Sequence, residues 1–254
     1  QILELLHQVL FNPLLDDDGF EKNTFEIEKK QLLARLESEL EDPFFFAHKE
    51  LDQLFFQEES MQLVPKDLIA RISEETSKSC YSSFQKMLKE DRIDLFFLGY
   101  FNEIEVLENL KKFNLTGRKE TVNIQYQQGY SNVLREGIAR KNLGQSILEM
   151  GYHSTIGYGD VQKMALLLVN GLLGAFPHSK LFTQVREKEG LAYTVSSHLD
   201  LFSGFLRLFA GINRQNRNKA RKLMNDQLLA IKNGRFTDAE VTQTKEMIRR
   251  TMLL

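Results

Sequence analysis

The stretch Ser179-Lys-Leu-Phe-Thr-Gln-Val-Arg-Glu-Lys-Glu-Gly-Leu-Ala-Tyr193 decides how this chain folds. Residues 181–188 read as a short helix. Gly190 supplies the residue that ends it with positive φ, and Leu191 to Ser197 then alternates as a strand. Arg186 falls about one turn before the glycine. Tyr193 lies just inside the strand. A guanidinium and a phenol therefore flank one helix-to-strand turn, where both can donate hydrogen bonds to a single substrate.

Working outward, Phe205 to Ile212 pairs with Leu191 to Leu199 as an antiparallel hairpin turned at Ser203-Gly204. Ala220, Leu223, Met224, Leu228 and Ile231 recur at helical spacing, and Gly234 ends that helix. Thr237 to Glu240 is a capping-box pattern that opens another. Upstream, Asp160 caps a helix through Met164, Leu167, Leu168 and Leu172, closed by Gly174. Gly151 to Asp160 has neither Rossmann nor P-loop spacing and reads as a turn, so no nucleotide site is implied. Strands are expected at Gln145 to Met150, at Val122 to Gln127 and at Ile93 to Tyr100. The last is a continuous apolar run read as a buried strand leading into a helix from Glu103 to Phe113.

Before Lys89 the pattern is helical. Leu3, Leu6, His7, Val9 and Leu10 form one stripe, followed by a loop at Asn12-Pro13 and Asp16 to Gly19. Helices follow from Asn23 to Leu40, from Pro43 with Asp42 as cap, and from Pro65 to Leu88 with an interruption near Ser77 to Ser79. Phe44-Phe45-Phe46 and Phe55-Phe56 lie on amphipathic helices and read as core. The order strand, helix, strands, helices predicts an α+β fold, an antiparallel sheet rolled against helices.

Composition narrows the function. The chain has 254 residues, 42% of them hydrophobic and 27% charged, with a formal net charge of -2. That suits one large or two modest cores. The charge offers no broad basic surface, so neither nucleic acid nor anionic membrane is expected as a partner. Arg214, Arg217, Lys219, Arg221 and Lys222 cluster, which reads first as a solvated helix face. The single cysteine, Cys80, reads as buried filler, excludes an intrachain disulfide framework and suits a reducing, cytoplasmic setting. No apolar run reaches the ~20 residues that span a bilayer. Because the chain opens on Gln1, the lack of a signal peptide carries little weight.

The Arg186 to Tyr193 segment resembles the second domain of the pitrilysin/insulinase family of zinc peptidases, which includes the mitochondrial processing peptidases. There an arginine and a tyrosine at this spacing follow a Leu-Phe and frame Gly-Leu-Ala-Tyr. Pro13 to Pro43, Ile93 to Phe101 and the helices after Gly211 follow the family's order of elements, so the likeness covers nearly the whole chain. It implies a metallohydrolase roll of the LuxS and processing-peptidase kind. Residues 1–90 would be the last helices of a first peptidase-like domain, and 91–254 a second, inactive-type domain that ends short.

Catalysis in this family needs zinc held by two histidines of an H-x-x-E-H motif, whose glutamate acts as general base. The histidines here are His7, His48, His153, His178 and His198, and none has a partner four residues away. The family's third ligand is a glutamate seven residues after a second carboxylate. The matching stretch, Glu28-Lys-Lys-Gln-Leu-Leu-Ala-Arg35, places Glu28 at the supporting carboxylate and Arg35 at the ligand position. A guanidinium has no lone pair to offer zinc. A register slip would bring Glu37 or Glu39 instead, roughly 200° and 40° round the helix from Arg35. The plain alternative is that Glu28 and Arg35 form a surface pair.

The resemblance implies a non-catalytic half of a peptidase pair. It would hold no metal, dock as a heterodimer on a zinc-bearing homologous subunit, and present Arg186 and Tyr193 in trans to the peptide substrate's oxyanion, worth roughly 3 kcal/mol for a well-placed donor. Without the resemblance, Arg186 pairs with Glu187 or Glu189 and Tyr193 packs in the sheet. A structural or peptide-binding scaffold, and an active zinc peptidase whose metal motif lies upstream, remain open alternatives.

Overall fold

The computed structural model describes residues 2–115, 126, 128–129, 132–141 and 144–252. In chain order the helices are α1 (Ile2–Phe11), α2 (Lys22–Glu41), α3 (Pro43–Phe55), α4 (Glu59–Gln62), α5 (Pro65–Glu74), α6 (Ser77–Glu90), α7 (Glu103–Lys111), α8 (Lys163–Asn170), α9 (Arg217–Lys232) and α10 (Asp238–Met252). The strands are β1 (Ser146–His153), β2 (Ala192–Asp200) and β3 (Phe205–Ile212). Two compact units result, one from residues 1–38 and 65–124, the other from 39–64 and 125–254.

The first unit is helical. His7 and Phe11 on α1 meet the Phe113 ring after α7, and Phe20 packs on Tyr81 and Phe84 of α6. The expected Pro65 to Leu88 helix is two helices. Thr76 breaks it by accepting a hydrogen bond from the Ser79 amide while Ser79 Oγ accepts from the Thr76 amide, a capping box that starts α6 afresh. Two expectations fail in this unit. Cys80 is exposed rather than buried. Ile93 to Tyr100 forms no strand, and Phe96, Leu98 and Tyr100 are almost fully exposed. An apolar run says that burial is favoured but not which strand will pair with it.

The second unit is an antiparallel sheet of order β1-β3-β2 with helices on both faces. Its logic lies in β3, whose side chains alternate. Leu206, Leu208, Ala210 and Ile212 join Leu173, Leu181, Val185, Ala220, Met224 and Ile231 in the main core. Phe205, Arg207, Phe209 and Gly211 face α3, where Phe55 stacks on Phe205, Phe44 and His48 flank Phe209, and Arg207 donates to Asp52. Of the Phe runs, Phe56 is core at 3% exposure, while Phe44, Phe45, Phe46 and Phe55 are half-buried. Asp42 caps α3 as expected, accepting from the Phe44 and Phe45 amides with Pro43 in the first turn.

On the other face the helices lock through specific polar contacts. Tyr152 Oη donates to Asn225 Oδ1 of α9 at 2.6 Å, and burial pushes the phenol up to about 12. Thr237 and Glu240 form the expected capping box at the start of α10. The Gly234 amide reaches Ile231 O and the Arg235 amide Ala230 O, the Schellman pattern that ends α9. The hairpin turn is held by Asp200, which accepts from the Phe202 amide and the Ser203 hydroxyl.

Two other expectations change here, and a third is untested. Asp160 accepts from the Gln162 amide in a turn, and α8 begins only at Lys163. Gly174 does not end the helix. It sits in a π-helical continuation, Gly171–Ala175, where a Cβ would lie 2.6 Å from the Ser197 amide nitrogen, so the residue is required for close approach to β2. The strand expected at Val122 to Gln127 lies outside the described residues except Tyr126. Among the described residues no helix is long and apolar enough to cross a membrane.

His178 gives the second unit a pH dependence of known sign. Thr244 Oγ1 donates to Glu240 O, so it accepts from His178 Nε2–H at 2.7 Å. Burial holds the imidazole below its ordinary 6.5. The unfolded chain therefore binds the proton more readily, and stability conferred by neutral His178 is present above 6.5 and lost as pH falls beneath it. A His178→Gln variant, whose amide can still donate to Thr244, is expected to show a shallower fall of the thermal midpoint between about pH 7 and pH 5 than the parent.

Candidate substrate-binding site

The quoted stretch folds as helix, turn and strand. The helix Leu181–Lys188 is π-helical, with the Glu189 amide donating to Gln184 O at 3.2 Å. Leu181 and Val185 fix its inner face in the core, which leaves Arg186 exposed. Gly190 has φ +59°, a left-handed turn that reverses the chain, and the Leu191 amide then returns to Val185 O at 2.9 Å. Arg186 before the turn and Tyr193 after it thereby flank one hydrogen-bonded backbone corner.

A β-bulge aims the tyrosine. Ala192 pairs with Ile212 and Thr194 with Gly211, so Tyr193 is the extra residue. Before the bulge Ala192 is the core-facing residue, and after it Val195, Ser197 and Leu199 are. Alternation would otherwise have confined the ring to one face. Tyr193 is 67% exposed, so it does not merely pack in the sheet.

Arg186 is also uncommitted. Its guanidinium lies 4.6 Å over the Phe182 ring, a cation–π contact that restrains the side chain without using its donors. The expected rival arrangement, an ion pair with Glu187 or Glu189, does not form among the described residues. Glu189 instead accepts from Lys219 Nζ at 3.0 Å, which holds its carboxyl below the ordinary range. Chemically, the corner offers an arginine fork and a phenol to an electron-rich oxygen.

The residues that the resemblance puts at a zinc-binding position do not fit a metal. Glu28 and Arg35 are both exposed on α2, and no ion pair joins them among the described residues. Arg35 supplies a cation where a donor atom is needed. Three of the five histidines are engaged elsewhere: His7 packs on phenylalanines, His178 bonds Thr244, and His48 Nδ1 stands 2.8 Å from Glu149 Oε1. Among the described residues no three His, Cys, Asp or Glu side chains gather as a metal site.

One polar cluster was not foreseen from sequence. Arg207 Nη2 donates to Asp52 at 2.5 Å and Nη1 to Glu149 at 3.3 Å, all three side chains being largely buried. Lys49 lies 3.5 Å from Asp52. Burial pushes the Glu149 carboxyl up, against the pull of His48 and Arg207. This cluster fastens α3 to the sheet and carries no substrate-facing group.

Comparison with known proteins shows the family. Residues 76–248 match the family described as the peptidase M16 inactive domain. The "Probable inactive metalloprotease YmfF" of Bacillus subtilis is 31% identical over 252 residues, covering 99% of this chain and 59% of that protein. The solved structure of a conserved protein from Enterococcus faecalis is 38% identical and superposes with a TM-score of 0.94, over 99% of this chain and 60% of that one. A peptidase M16 inactive domain from Pseudomonas fluorescens, 18% identical, shares the fold at a TM-score of 0.77, over 100% of this chain and 61% of that one. The chain thus spans about three-fifths of the length of these relatives. It is a member of the inactive-domain family of M16 peptidases, the pitrilysin/insulinase lineage of zinc peptidases.

Proposed function

We propose that this chain belongs to the non-catalytic half of a cytoplasmic M16 peptidase pair, and that Arg186 and Tyr193 bind the peptide substrate in the site of a zinc-bearing homologous subunit. The observation that carries this reading is the corner itself. A bulge turns Tyr193 outward, and Arg186, on the helix before the turn, has no carboxylate partner among the described residues. Exposed, restrained donors without internal partners suit a ligand's oxygen, and preorganised donors stabilise charge that develops during attack on a peptide carbonyl. The Arg35 guanidinium supports the other half of the proposal, since the water that attacks the peptide must then be activated in the partner.

The test uses the full-length protein mixed with its zinc-bearing homologue. Peptidase activity of the mixture should fall when Arg186 is replaced by alanine or Tyr193 by phenylalanine. Unchanged activity in both variants would favour a structural or peptide-binding scaffold.

A further inference from the structure

We propose that the end of the sheet bearing Tyr193 is a basic shelf that selects peptides with acidic residues beside the bond to be cleaved. This rests on the reading of Arg186 and Tyr193 given above and adds a substrate class to it.

The register brings the charges together. Ile212, the last residue of β3, pairs with Ala192, so the chain leaves the sheet next to Tyr193. The segment that follows, Asn213 to Lys222, carries Arg214, Arg217, Lys219, Arg221 and Lys222 and no acidic residue, in a chain whose net charge is -2. Five of the chain's 33 lysines and arginines thus fall in this ten-residue segment at one end of the sheet. The Lys219 to Glu189 contact ties the first turn of α9 to the end of the π-helix that holds Arg186. Arg186, Tyr193 and the Arg214 to Arg217 turn therefore share one end of the second unit.

The internal pairings leave part of this charge unmet. Lys219 is paired with Glu189 and Arg221 with Glu136. Arg214 and Arg217 are exposed and form no ion pair among the described residues. The acids near it are Glu136, already paired with Arg221, Glu187, Glu189 and, two turns along α9, Asp226. An acidic peptide fits this short shelf better than nucleic acid, which needs a positive track along its phosphates. Exposed charges of this kind steer and select more than they tighten.

Fluorescence anisotropy with the full-length protein provides the test. The probes are a labelled peptide containing two glutamates and the same peptide with glutamines. The glutamate form should bind about three- to tenfold more tightly at low salt, a preference that added salt erodes. Replacing Arg214 and Arg217 by glutamine should abolish the preference. Equal affinity of the two peptides, or a preference that survives R214Q/R217Q, overturns the shelf. So does a single-stranded oligonucleotide that outcompetes the glutamate peptide. The R186A/Y193F variant separates the two proposals: it should weaken both peptides in parallel and remove partner-assisted cleavage. If cleavage ignores that variant while the glutamate preference persists, the catalytic reading falls and the shelf stands.

Discussion

Arg207→Ala is expected to destabilise the second unit by about 3–5 kcal/mol. The side chain is only 10% exposed and is shared by Asp52 of α3 and Glu149 of β1, themselves 12% and 7% exposed. Removing the guanidinium leaves two carboxylates facing each other away from water, which costs more than the pairing itself contributes. Lys49 forms an ion pair with Asp52 only, at 3.5 Å, and is 31% exposed, so it does not replace the guanidinium. Denaturant unfolding at about pH 7 measures the loss, and a change under about 1 kcal/mol would show that water reaches the cluster freely. A triple replacement of Arg207, Asp52 and Glu149 by apolar residues of similar volume should recover most of the stability.

The same variant has a signed pH dependence. Burial already raises Glu149 above the ordinary 4.5, and the Arg207 charge opposes that rise. Without Arg207 the folded carboxyl goes higher still. A raised folded value confers stability that is fully present below 4.5 and lost as pH climbs through the folded value. The deficit of the variant is therefore largest near neutrality and narrows towards about pH 4.

In the complex with a zinc-bearing homologue, Arg186→Ala and Tyr193→Phe should each lower kcat by about 100- to 1000-fold. Both side chains are exposed, so neither change should shift the unfolding midpoint by more than about 0.5 kcal/mol. Tyr193→Phe is the cleaner probe, because it keeps the ring at the bulge and removes only the hydroxyl donor. Arg186→Lys retains the charge but loses the planar fork, and should recover only part of the rate. The double variant should lose less than the product of the single effects, as groups that act on one oxygen do. A rise in KM at constant kcat would instead mark the pair as ground-state peptide ligands.

What could be read from the sequence divides along local and non-local lines. Asp42, Thr237 and Gly190 act within a few residues of themselves, and each is where its spacing placed it. Phe205 to Ile212 was legible because an apolar strand beside a Ser-Gly turn has one simple partner, the strand before it. Ile93 to Tyr100 was not, because an apolar run does not name its partner. The Arg207 cluster joins α3 to β3 across 155 residues of sequence, and no short motif records such a meeting. The bulge that turns Tyr193 outward was equally hidden. Two consecutive exposed residues, Tyr193 and Thr194, are its only sequence trace, and both types are also common inside regular strands. The reading of Arg35 as a cation at a ligand position rests on the family's motif alone, since an arginine on a charged helix is otherwise unremarkable.

The most direct test of the central claim is the zinc content and peptidase activity of the full-length protein, measured alone and then mixed with a zinc-bearing homologue. The account predicts neither stoichiometric zinc nor cleavage in the isolated protein, and cleavage in the mixture that depends on Arg186 and Tyr193. Stoichiometric zinc together with activity in the protein alone would contradict it.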